Sequence, residues 1–266
     1  MFGSLHAKYI KATPAYLRTA GFPQQAEIIE GNMDWMMQAV QSPDADYSQY
    51  VIPVDKLPDA LKFLGGTSPI KWEHVYPVDF PAVFTAALQT LSVDVLKIPY
   101  RYADVAILEW WKKAVDLWET DQKQSLWHIG RACHLVEDVS VPMHVAVTGN
   151  LKDCFDVFAK REPNHNKYEM YCETVYSPIV NIGALVPITD LPGMIKQVAT
   201  ETSKFVGMAS GFTLPAFISR FTPKFILQKI MKTYNDNYEK AANYSNSSAQ
   251  RYTVSLLHAF FKEVGV

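Results

Sequence analysis

Apolar residues recur at three-and-four spacing along most of this chain, and that period constrains the fold more than any other feature. Between Pro23 and Gln41, Ala26, Ile29, Met33, Met36, Met37 and Val40 fall on one stripe, as an amphipathic helix requires. Residues 79–97, 100–119, 121–139, 191–208, 223–243 and 248–263 carry the same period. Serines precede the last of these as cap candidates, and Gly265 lies beyond its end. Alternating apolar-polar runs closed by Asn-Gly or Asp-Gly do not occur, so sheet is poorly supported. Residues 42–57, 65–78 and about 149–164, rich in Ser, Pro, Asp, Asn and Gly, read as loops. With 266 residues, 48% of them hydrophobic, the chain can bury a sizeable core. No internal repeat or low-complexity tract marks a boundary, so the expectation is one all-α, multi-helix domain spanning 1–266. The Met33, Met36 and Met37 stripe reads as core packing.

The formal net charge is -2, which lacks the excess needed to grip duplex nucleic acid through many phosphates. An anionic substrate must therefore be attracted by a site. Cys133, Cys154 and Cys172 are sparse, odd in number and outside any C-x-x-C spacing, which argues against a disulfide framework. The uncharged stretches 174–189 and 205–219 contain proline and are too short to span a membrane. They read as buried core segments. No apolar leader is recognisable at the start. The sequence as written reads as soluble and cytoplasmic, or as secreted if it is a processed mature form.

The chemistry is concentrated in His134-Leu-Val-Glu-Asp138-Val-Ser-Val-Pro-Met-His144. On a helix, residues four apart share a face, so His134 and Asp138 can address one metal ion. Pro142 turns the chain out of that helix and lets His144 approach the same cavity from another direction. A second His-carboxylate pair at the same interval follows in His165-Asn-Lys-Tyr-Glu169. Imidazole and carboxylate are suitable zinc donors at roughly 2.0–2.2 Å. A single pair of this kind is usually just a hydrogen-bonded contact, but two pairs with His144 between them point to a metal site. His128 and His258 fall outside the pattern and read as structural.

This run resembles the signature of the zinc-dependent phospholipase C family, whose fold is shared with single-strand-specific zinc nucleases. The shared pattern is H-x-x-x-D, then five residues, then a histidine preceded by Pro-Met or Pro-Leu, with H-x-x-x-E or H-x-x-x-D downstream. His6, Asp44 and His74 match the order and approximate spacing of the family's remaining ligands. The resemblance covers roughly residues 1–170. It implies three Zn²⁺ ions: one held by Asp44, His74, His134 and Asp138; a second by Met1 and His6, with Asp138 bridging; a third by His144, His165 and Glu169. Met1 would bind through its free amine, where the family usually has a processed Trp. Asp46 rivals Asp44 as a ligand, or acts as a general base. Glu137 stands where the family often has a small residue, and is expected to face solvent.

The resemblance implies a phosphodiester hydrolase in which zinc-activated water attacks in line, Asp44, Asp46 and Asp138 being the carboxylates closest to the chemistry. Three divalent ions against Asp44, Asp138 and Glu169 leave a local positive surplus that can hold a phosphate. H-x-x-x-E at 165–169 favours the phospholipase branch. Tyr47 could line a choline pocket by cation–π contact, or stack a base. Phospholipid or another small phosphodiester is the expected substrate, with transient contact at a membrane surface and no protein partner. Single-stranded nucleic acid is the alternative. A helical module with purely structural zinc is the reading from another class, disfavoured because such sites are usually sulfur-rich.

Overall fold

The computed structural model describes residues 3–49, 76, 102–145, 163–178, 183–209 and 224–266. All regular structure among them is helical: α1 (Gly3–Thr19), α2 (Pro23–Gly31), α3 (Met33–Gln49), α4 (Ala103–Leu117), α5 (Gln122–Val139), α6 (Pro142–Val145), α7 (Pro163–Val175), α8 (Leu191–Ser203), α9 (Val206–Ala209) and α10 (Lys224–Glu263). This is the expected all-α architecture. The helix expected over 79–97 and the loops expected over 50–57, 65–75 and 149–162 lie outside the described residues.

Helix boundaries follow local chemistry. The turn between α1 and α2 places Gly21 at φ +92°, and the Phe22 N–H closes on the Leu17 carbonyl at 2.8 Å. Pro23 then opens α2, where a missing N–H costs nothing. The helix expected over 23–41 breaks at Asn32, whose side-chain amide donates to the Ile28 carbonyl at 2.9 Å. Asp121 caps α5 by accepting from the Gln124 N–H at 3.0 Å.

Two stretches depart from expectation. Residues 42–49, expected as loop, continue α3 through Pro43. Proline cannot donate to the Ala39 carbonyl, but the Ser42 hydroxyl does so at 2.8 Å. Arg131 of α5 in turn donates to the Ser42 oxygen at 3.0 Å. The segments expected as separate helices at 223–243 and 248–263 form the single α10.

α5 is the central element, packed against α3, α4 and α10. Its second half has no solvent face: every residue from Ile129 to Val139 is buried. One apolar cluster joins Ile10 and Leu17, Met36 and Val40, Ile107, Leu126, Val136, Ile195, Leu257, Phe260 and Phe261. A second joins Leu5 and Tyr9, Met143, Tyr168, Cys172 and Ala242.

α3 and α5 meet at Gly130, where an added Cβ would lie 2.7 Å from Ala39 Cβ. Only a glycine permits this approach, which also brings the Val40 carbonyl to α5. Gly130→Val should therefore destabilise the chain by about 1–3 kcal/mol, the usual cost of overpacking. Urea unfolding measures this, and an unchanged midpoint would contradict the close approach.

Candidate metal centre

His134 and Asp138 lie one turn apart on α5, both fully buried, with His134 Nε2 3.0 Å from Asp138 Oδ2. The other imidazole nitrogen, Nδ1, sits 2.7 Å from the Val40 carbonyl. A carbonyl only accepts, so Nδ1 carries the hydrogen and a neutral His134 has its lone pair on Nε2. That lone pair faces Asp138 and also Asp44 Oδ1, 3.7 Å away. A nitrogen lone pair and carboxylate oxygens converge only with a proton or a cation between them.

His6 of α1 repeats the arrangement. Its Nδ1 is 2.5 Å from Glu137 Oε2, while its buried Nε2 has no hydrogen-bond partner. That nitrogen faces Asp138 Oδ1 at 3.6 Å and Asp44 Oδ2 at 3.9 Å. The His6 and His134 rings stack with centroids 4.1 Å apart. Asp44, on the turn of α3 held by Ser42 and Arg131, is the more exposed member of the group, its side chain 28% accessible.

α6 places His144 beyond the Pro142 turn, its Nδ1 3.9 Å from Asp138 Oδ2 and its Nε2 3.2 Å from Glu169 Oε1 on α7. Asp138 is thus central, with Oδ1 towards His6 and Oδ2 towards both His134 and His144.

Electrostatics follow from burial. Desolvation pushes His6 well below the usual imidazole value. Burial opposes protonation of His134 too, but the charges of Asp138 and Asp44 outweigh it and raise its pKa. At His144 burial is likewise outweighed, by Asp138 and Glu169. The donor set of imidazole and carboxylate, the orphaned His6 Nε2 and Nδ1 partners on both histidines fit a zinc site.

Six expected residues therefore meet here: His6, Asp44, His134, Asp138, His144 and Glu169. His165 lies on α7, and Asp46 and Tyr47 lie on α3, but their side chains are outside the described residues, as are Met1 and His74 altogether. Donor atoms of His6, Asp44 and His134 lie within 4.8 Å of one another.

Glu137 corrects the sequence reading outright. It was expected to face solvent, but its side chain is fully buried against His6, because α5 has no exposed face at this level. His128 stacks on Trp110, and His258 on Phe22 with Nδ1 near Gln25, so both sit away from the centre.

No family model and no curated protein matches the chain. Solved structures do. The alpha-toxin from Clostridium absonum superposes with a TM-score of 0.63 at 15% identity, covering 98% of this chain and 65% of that one. The alpha-toxin of a Clostridium perfringens avian strain gives 0.56 at 16% identity, covering 98% and 63%. The chain has the all-α fold of these alpha-toxins. It spans less than two thirds of the length of either toxin.

Within that fold the centre draws its donors from five helices, so a cation should stabilise the whole. Zinc at a hundredfold excess over its dissociation constant should add about 2.7 kcal/mol, seen as a higher Tm that chelator reverses. Because a cation must displace protons favoured at His134 and His144, its affinity should fall as pH drops through their raised values. Calorimetry in buffers of different ionisation enthalpy should register that proton release, and zinc uptake without it would contradict the assignment.

Proposed function

We propose that the chain is a zinc-dependent phosphodiester hydrolase of the phospholipase C type, acting on a phospholipid or another small phosphodiester. The observation that carries this reading is the convergence of His6, His134 and His144 on Asp138, within the all-α fold of the alpha-toxins. His6, Asp44, His134, Asp138, His144 and Glu169 would hold the metal, with Met1, His74 and His165 completing a set for three ions. When bound, zinc supplies Lewis acidity and lowers the pKa of water to about 7.

The chain's own residues do the rest. Asp138 turns its two oxygens to different histidines and so can bridge two ions. Asp44, partly open to solvent, stands where an incoming phosphate and water would arrive, and Asp46 is the alternative carboxylate for moving a proton. Burial of His6, His134 and Asp138 excludes bulk water and leaves the Asp44 side as an approach. Tyr47, two residues past the Pro43 turn's Asp44–Ala45, is proposed to contact the substrate headgroup. Lipid would be met at a membrane surface; no described helix is long and apolar enough to cross one.

A nuclease acting on single strands remains the second reading, because the same centre serves either substrate. Zinc-loaded protein incubated with phosphatidylcholine micelles should release phosphocholine, and chelator should abolish this. Release of nucleotides from single-stranded DNA instead would move the chain to the nuclease reading. Bound zinc with neither activity would favour a structural metal. Asp138→Ala should lose two zinc equivalents and all activity; retention of full metal content would overturn the bridging role.

A further inference from the structure

Glu137 is a buried ionisable group beside the centre to which the resemblance gives no role. Its side chain, that of Thr253 on α10 and that of His6 are all fully buried. Oε1 accepts from the Thr253 hydroxyl at 2.8 Å, and Oε2 meets His6 Nδ1 at 2.5 Å. A carboxyl group taken wholly out of water is costly unless its oxygens are partnered, and here both are.

The two histidines flanking Asp138 are thus oriented by different means. His134 has a neutral backbone carbonyl on Nδ1, and His6 has a carboxylate. A carboxylate behind a metal-binding imidazole fixes the tautomer, fixes the ring plane and makes the opposite nitrogen a stronger donor. For His6 that opposite nitrogen is Nε2, the atom facing Asp138 and Asp44.

We propose that Glu137, anchored by Thr253, is a positioning residue that holds His6 in the tautomer presenting Nε2 to a divalent cation. The inference rests on the metal reading above. It makes α10 part of the centre although that helix contributes no ligand: Thr253 sets Glu137, Glu137 sets His6, and His6 meets the cation.

The test compares metal-free wild-type chain with Glu137→Gln, which keeps the shape but removes the charge and turns one accepting oxygen into a donor, and with Thr253→Val, which removes only the anchor. Zinc affinity is read by competition with a chromogenic chelator, ligand geometry by the visible spectrum of the cobalt(II)-loaded protein, and folding by the Tm of the metal-free chain. Glu137→Gln should weaken one zinc equivalent by roughly 10–100-fold and alter the cobalt spectrum. Thr253→Val should show a smaller change in the same direction. Wild-type affinity and spectrum in both variants would overturn the inference, as would a lowered Tm with affinity and spectrum unchanged, which marks a merely structural carboxylate. A wild-type chain that takes up no zinc would overturn the metal reading itself, a result separable from the other two.

Discussion

An ionisable group taken out of water must be paired, protonated or joined to a cation, and α5 takes His134, Glu137 and Asp138 out of water together. The surrounding helices answer that demand one group at a time. α3 supplies the Val40 carbonyl to His134, α10 supplies the Thr253 hydroxyl to Glu137, and α1 supplies His6 to both Glu137 and Asp138. α6 and α7 close the far side with His144 and Glu169. Packing and chemistry overlap here: α3 and α10, which pack along α5, also supply partners to its buried groups.

The long C-terminal helix shows how the scaffold holds this arrangement in register. Along α10, Ser245, Asn246, Gln250 and Thr253 are buried polar residues turned towards neighbouring helices. Asn246 accepts from the Tyr9 hydroxyl and donates to the Cys172 carbonyl, so α1 and α7 are tied through one side chain. Ser245 meets the Tyr168 hydroxyl one residue before Glu169, and Gln250 donates to the Tyr9 carbonyl. Directional bonds of this kind select one rotation and one depth for each helix, which apolar contact alone does not do.

The Pro43 turn shows the same economy at the edge of the centre. Arg131 leaves α5, stacks over Trp110 and reaches Ser42, whose hydroxyl replaces the N–H that Pro43 lacks. The helix survives the proline, and Asp44 arrives one residue later beside His6 and His134. An acidic residue on a free loop would have to be ordered at an entropic cost before it could serve a cation. Here the backbone hydrogen bonds have already met that cost.

Much of this was legible in the amino-acid order. Helical period and the absence of hairpin signals gave the all-α class, and the His134/Asp138 and His165/Glu169 pairs, with His144 between them, pointed to a metal site, because i to i+4 geometry is local and independent of what packs against it. Glu137 was misjudged because the side of a helix that faces solvent depends on its neighbours, and the second half of α5 is covered on all sides. Residues 42–49 read as loop because Pro and Asp disfavour helices, and only Ser42 and Arg131, the latter 89 positions away, reverse that preference. The Asn- and Ser-rich middle of α10 looked like a break for the same reason, since its polar groups find partners on distant segments. Sequence by itself determined the helices and the donor types; tertiary structure alone decided which donors meet and which buried carboxylate stands behind them, because those contacts join residues that no local period relates.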